Sequence, residues 1–181
     1  MVTKGKFLLM SIRPVYTDRI LAGEKRCELR RRRINARPGD IVIMYASAPR
    51  KAIVGAFRVG EVIARCHKTL WKERRKEMGI SEEDYVSYFS GASVAYAMRI
   101  TASISIGPVT LSQIRAHARG FRPPQSYMHW PETLNQVFLL PALKRLNALA
   151  NQACRYSGSV SRRKCASVKT KNVHRAHSLA Y

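Results

Sequence analysis

Acid is what this chain has least of. Against 33 lysines and arginines it carries 11 aspartates and glutamates, for a formal net charge of +22, and residues 144–181 hold no acid at all. Self-repulsion on that scale opposes compaction unless a polyanion screens it, so nucleic acid is the default partner, bound with a steep dependence on salt. The roughly 18 consecutive apolar residues that a bilayer span needs are missing. So is any long amphipathic helix with a clean aromatic face, and a membrane partner is therefore not expected. The opening stretch MVTKGKFLLMSIRP ends its short apolar patch in Arg13 and Pro14 without a small-residue cleavage site, so it reads as a strand and not as a signal peptide. Cysteine is scarce. Cys27, Cys66, Cys154 and Cys165 show no close pairing, which fits a reduced, cytoplasmic setting. Cys154, Cys165, His174 and His177 are spaced too widely for a zinc site. No glycine-rich phosphate loop, dinucleotide fingerprint or nucleophile elbow is present. Neither a metal nor a cofactor is expected.

What is there divides in two. Residues 1–143 contain 24 of the basic residues and all 11 acids, with enough apolar residues for one core. Residues 144–181 are basic and rich in Ser, Asn and Ala, with few large apolar side chains to offset ordering entropy. They are expected to form a disordered tail. Within the body, KFLLMSI reads as a strand. Pro14 suits the first turn of a helix that turns Val15, Ile20 and Leu21 inward and stops at Gly23. ELRRRRINARPGD runs from a strand into a turn, IVIMYAS is a buried strand, and AIVGAFRVGEVIA is a longer one with bulges or bends at Gly55 and Gly60. KTLWKERRKEMG reads as an exposed helix ended by Gly79. Ser81 caps the next helix, which turns Tyr85, Val86 and Phe89 inward. VAYAMRITASISI is a further strand, Thr110 or Ser112 caps LSQIRAHA, and TLNQVFLLPAL is a final helix. Strands outnumber helices, which predicts an α+β fold: a small, mostly antiparallel β-barrel with flanking helices.

Three segments then carry a resemblance. LLMSIRPVYTDRILAGEKRCELRRR, PGDIVIMYASAP and AIVGAFRVGEVI, in that order, resemble the ASCH domain of the PUA-like superfamily. The signature portion is Gly23-x-Lys25-x-x-Glu28-x-Arg30, and YASAP and GFRPPQSY are similar as well. The likeness covers roughly residues 6–140. It implies a PUA-like barrel with a cleft beside the helix that precedes the signature strand. It also implies binding of RNA, or of flipped bases in DNA, and in some members hydrolysis of acetylated cytidine or of RNA. The amidohydrolase branch places a threonine nucleophile three residues after the signature lysine. Here that position is Glu28.

The residues themselves say what such a cleft does. On a strand, Arg26, Glu28, Arg30 and Arg32 share one face, so Glu28 is flanked by arginines that favour its ionised form. A carboxylate so held accepts a base's exocyclic amine or serves as a general base. Lys25, entering that strand from the loop at Gly23, reaches a phosphate or polarises a carbonyl. The competing reading is a surface ion-pair ladder worth about 0–1 kcal/mol per pair. Ser11 and Arg13 end the first strand at a helix N-terminus, where backbone N–H groups help to hold an anion. Tyr45 and Ser47 offer a stacking face and a hydroxyl, with a buried Tyr45 whose hydroxyl is satisfied as the equal alternative. Gln125 and Tyr127 lie on the aromatic, proline-stiffened loop GFRPPQSYMHW. His129 on that loop is the histidine to watch for proton transfer.

The sequence thus leads to a nucleic-acid-binding module, RNA favoured over DNA, that takes a nucleotide into a basic cleft. The alternative is a hydrolase of the same fold acting on a modified nucleoside or on RNA, with Lys25 and Glu28 as its working pair. A prokaryotic or phage source is expected. If the tail grips phosphates, its removal lowers the slope of log affinity against log salt concentration, since each phosphate contact releases counterions. Equal slope and affinity before and after truncation would exclude the tail from binding.

Overall fold

The computed structural model describes residues 5–149 apart from 132 and 141. The chain opens with β1 (Phe7–Ile12) and α1 (Pro14–Leu21), then β2 (Cys27–Arg30), β3 (Ile41–Ala46) and the long β4 (Ala52–Cys66). Helices α2 (His67–Met78) and α3 (Glu82–Phe89) lead to β5 (Val94–Thr110), α4 (Leu111–His117), β6 (Tyr127–His129) and α5 (Thr133–Phe138). The strands form one six-stranded sheet in the order β2-β5-β4-β3-β1-β6. Only β1 and β3 run parallel, in register from Phe7 opposite Ile41 to Ile12 opposite Ala46; the other pairs are antiparallel.

This order corrects the expected barrel. The sheet is open: among the described residues β2 pairs only with β5, β6 pairs only with β1, and no ladder joins the two ends. The physical reason lies in β2. It is four residues long, and past Arg30 the arginine run leaves extended pairing. What joins β2 to the far side is a side chain: the Arg30 guanidinium donates from Nη2 to the Ser11 carbonyl oxygen on β1 at 3.0 Å.

Alternation along the strands buries both faces of the sheet. Leu9, Ile43 and Tyr45 point to one layer, shared with Ile114 of α4, Trp130 and Leu134. Leu8, Met10, Val42, Met44 and Phe57 point to the other, shared with Ile20 of α1. A third cluster, built from Cys27, Leu29, Leu70, Met78, Tyr85 and Phe89, seats α2 and α3 against the β2 end. Helix caps fall where the sequence placed them. Gly79 ends α2 at φ 55°, Ser81 accepts a hydrogen bond from the Asp84 N–H at 3.1 Å, and Thr110 forms a capping box with Gln113. The bulges expected around Gly55 and Gly60 are register breaks between β4 and β5. Two inward assignments fail: Val15 and Val86 are exposed. On α1 the inner positions are Thr17 and Ile20, three apart, and Thr17 is buried because its hydroxyl donates to the Pro14 carbonyl at 2.7 Å.

Among residues expected in the tail, 144–149 are helical and Leu146 is wholly buried in the first core layer; residues 150–181 lie outside the described residues. A truncation that tests the tail without opening the core therefore begins after 149. No described helix is long and apolar enough to cross a membrane.

Gly55 sits where strands crowd: an added Cβ would lie 2.6 Å from the Ile104 carbonyl oxygen and 2.9 Å from Leu21 and Met44. Gly55→Ala is expected to lower stability by about 1–3 kcal/mol, as overpacking does. Denaturant unfolding checks it, and an unchanged midpoint would show that the sheet yields at this point.

Candidate functional site

The last carbonyls of a helix lack intrahelical donors and carry partial negative charge, so they attract cations. At the end of α2 three successive carbonyls are taken up, two by the segment that leads into β2 and one by α1. The Arg26 N–H donates to Glu77 O at 2.7 Å, the Lys25 ammonium to Met78 O at 2.6 Å, and Arg19 to Gly79 O at 2.7 Å. Gly79 makes this approach feasible. Its φ of 55° suits glycine, and a Cβ there would stand 2.7 Å from Cβ of Lys25. Lys25 is consequently only 2% exposed. Its Nζ lies 3.9 Å from Oε2 of Glu28 and 5.2 Å from the centre of the Tyr16 ring. Burial pushes the Lys25 pKa below its ordinary value, and the Glu28 charge opposes that shift.

Glu28 is 5% exposed, and its Oε1 receives Nη2 of Arg30 at 3.0 Å. The same guanidinium reaches Ser11 O, while its Nε has no hydrogen-bond partner among the described residues. Lys25, Glu28 and Arg30 line one wall of a cleft of about 350 Å³. Ser11, Ile12 and Arg13 from the end of β1 form a second wall, joined by Tyr16 and Gln125. Helix α3 closes the third with Asp84, Ser87 and Tyr88. The cleft occupies the open seam of the sheet, between the end of β1 and β2. Burial raises the pKa of both Tyr16 and Tyr88, so their hydroxyls stay protonated donors well above neutral pH.

Of the residues singled out in the sequence, the structure brings together Ser11, Arg13, Lys25, Glu28, Arg30 and Gln125. Arg26 is exposed on the approach to β2, and Arg32 falls past the end of β2, so face-sharing along 26–32 stops at Arg30. Tyr45 is buried in the first core layer, on the sheet interior. Ser47 lies just beyond β3, its N–H donating to Ile12 O at 2.9 Å. The Tyr127 hydroxyl accepts from the Asn35 N–H at 3.2 Å. None of these four side chains or Arg32 lines the cleft. His129 pairs with Leu8 in the β6–β1 ladder and does not line it either. Sequence reasoning missed Tyr16, Asp84, Ser87 and Tyr88. Nothing local marks them, because α1 and α3 must first pack beside β2 to bring Tyr16 and the three α3 residues to one cleft. Cys27 is a packed thiol, its pKa pushed up to about 12 by burial and by Glu77. No group of three or more His, Cys, Asp or Glu side chains is placed to hold a metal among the described residues. Cys154, Cys165, His174 and His177 lie outside those residues.

The lowered pKa of Lys25 has a signed consequence. Below both its folded value and the unfolded 10.5, the buried charge costs the native state stability. That cost is relieved as pH rises from the folded value toward 10.5, where the unfolded chain holds the proton and the native chain does not. Lys25→Met is expected to abolish this alkaline gain. Urea unfolding of both proteins between pH 7 and 10.5 measures it, and parallel stability curves would mean that the lysine titrates alike in both states.

Comparison with known proteins gives one consistent result. The ASCH domain family model matches residues 10–136. A protein of Zymomonas mobilis named ASCH domain-containing ribonuclease is 30% identical over 121 residues, spanning 67% of this chain and 82% of that protein. The crystal structure of ASCH from Zymomonas mobilis superposes with a TM-score of 0.69 at 28% identity, covering 72% of this chain and 92% of that one. A serine-to-alanine mutant of the Zymomonas protein superposes with a TM-score of 0.70 at 27% identity, covering 77% and 97%. With the signature Lys25, Glu28 and Arg30 gathered at one cleft and the match running through most of the described sheet, the chain belongs to the ASCH domain family of the PUA-like superfamily.

Proposed function

We propose that this protein cleaves RNA, taking one nucleotide into the cleft between β1, β2 and α3. The observation that carries the reading is the buried Lys25–Glu28 pair with the half-buried Arg30 on the wall of a cleft that also presents tyrosines. Similarity to a protein named a ribonuclease supports it, as does the positive charge of the whole chain. RNA is favoured over DNA because RNA carries its own nucleophile. Glu28 takes the proton of a 2′-hydroxyl, the 2′-oxygen forms a bond to the adjacent phosphorus, and the bond from phosphorus to the 5′-oxygen breaks. Arg30 and the Lys25 ammonium face the charge that develops on the phosphoryl oxygens. Lys25, whose pKa burial lowers, returns a proton to the leaving 5′-oxygen. The products are a 2′,3′-cyclic phosphate and a 5′-hydroxyl. Tyr16 and Tyr88 supply aromatic surface for the base. Acetylated cytidine is disfavoured as substrate because the position of the branch's threonine nucleophile is Glu28.

A second reading, RNA binding without turnover, draws on the Glu28–Arg30 pair itself, since the guanidinium already occupies Oε1 of the carboxylate at 3.0 Å. One experiment separates the two. Purified protein is incubated with single-stranded RNA, with the same RNA blocked by 2′-O-methyl groups, and with DNA. Only the unblocked RNA is expected to be cut, leaving cyclic-phosphate ends. Glu28→Gln, nearly isosteric, is expected to lower the cleavage rate by about 10²–10⁴-fold, the usual contribution of a general base, with RNA affinity kept. Cleavage undiminished in Glu28→Gln would reject the proposed base. Tight binding with no turnover in the parent protein would leave the binding reading.

A further inference from the structure

The arginine run continues past the cleft, and the structure gives that continuation a shape. Arg31, Arg32 and Arg33 form one bank of a second depression. The other bank is the turn after α3, through Gly91, Ser93 and on to Tyr96. Two segments of chain thus bound both features. Residues 25–30 face 80–88 across the cleft, and residues 31–33 face 91–96 across the groove. Arg31 ties the two banks together, its Nη2 donating to Ser90 O at 2.7 Å. Tyr88, which lines the cleft, stands two residues before that carbonyl. Cleft and groove are thus bounded by consecutive stretches of the same two segments.

Its charge is unbalanced. No acidic side chain lines the groove, and no ion pair found among the described residues involves Arg31, Arg32 or Arg33. Arg32 and Arg33 are exposed, and Tyr96 lies half-buried at the groove. Arg32 is two residues from the cleft's Arg30, at most about 7 Å along an extended chain. That is a step from one nucleotide to its neighbour. Guanidinium groups suit phosphate oxygens, and an aromatic ring suits a base of any identity.

Resting on the RNA reading of the cleft, we infer that the Arg31–Arg33 groove is a second subsite that holds the backbone next to the nucleotide in the cleft. The ligand that cleft and groove together fit is therefore a single-stranded oligonucleotide and not a free nucleoside or mononucleotide. Arg31 is the bridge between the banks, and Arg32 and Arg33 are the phosphate contacts. An acidic peptide would meet the same charge but has no use for the flanking cleft.

The test uses the full chain and fluorescence-labelled single-stranded RNAs of one, two, four and eight nucleotides. Binding is measured at several salt concentrations for the parent protein and for the surface double variant Arg32→Gln/Arg33→Gln. The parent is expected to gain at least tenfold in affinity between one and four nucleotides. The variant should lose most of that gain, bind a mononucleotide as the parent does, and show a salt slope on the longer RNAs smaller by about 1.4, two phosphate contacts' worth for a single strand. Identical length profiles and slopes in the two proteins would overturn the subsite, as would polyglutamate displacing the RNA at equal charge concentration. Neither result touches the cleft, whose own failure would show separately as undiminished cleavage by Glu28→Gln.

Discussion

A lysine ammonium buried to within 2% exposure needs a reason to be there, and the end of α2 supplies it. The Met78 carbonyl accepts its proton at 2.6 Å, the helix terminus offers partial negative charge, and Glu28 lies 3.9 Å away. Removing one partner from such a set leaves an uncompensated buried charge, which typically costs about 3–5 kcal/mol. The fold is arranged around that constraint. Gly79 clears space for the Lys25 stem, Arg19 takes the next carbonyl, and the Arg26 backbone takes the one before. Those contacts set where β2 begins, and hence where Glu28 and Arg30 point.

The same contacts explain why the sheet stays open. A barrel would close by pairing β2 with the strands at the other end of the sheet. Here β2 turns its charged side chains into that gap, and Arg30 spans it to Ser11 O. Burying both strand edges against each other would leave Lys25, Glu28 and Arg30 without the space or polar surroundings they require. The seam becomes a cleft, α3 roofs it with Tyr88, and a second groove lies between Arg31–Arg33 and the turn after α3. The open seam of the sheet and the cleft are thus one feature.

Three residues after Lys25, where the resemblance implies a threonine nucleophile in the amidohydrolase branch, this chain has Glu28. Glu28 instead offers a carboxylate between two cations, suited to moving a proton or accepting hydrogen bonds from a base edge. In the proposed reading the nucleophile that this site lacks comes from the RNA itself, and the excess of positive charge on the chain is compatible with that reading.

Much of this protein is set by local pattern. Pro14 starts α1, Gly79 and Ser81 punctuate α2 and α3, and Thr110 with Gln113 opens α4. Alternation along KFLLMSI and IVIMYAS assigns each side chain to one core layer or the other. Lys25, Glu28 and Arg30, the charges of the signature that carries the family resemblance, line one cleft. Tertiary structure decided the rest. Strand pairing consumed Tyr45 as core, the end of β2 at Arg30 sent Arg32 to a different groove, and α3 brought Tyr88 and Asp84 to the cleft from some sixty residues away along the chain. Periodicity determines which face of an element a residue occupies. Only the packing of one element on another determines what that face meets, and the openness of the sheet depends on which edges find a partner.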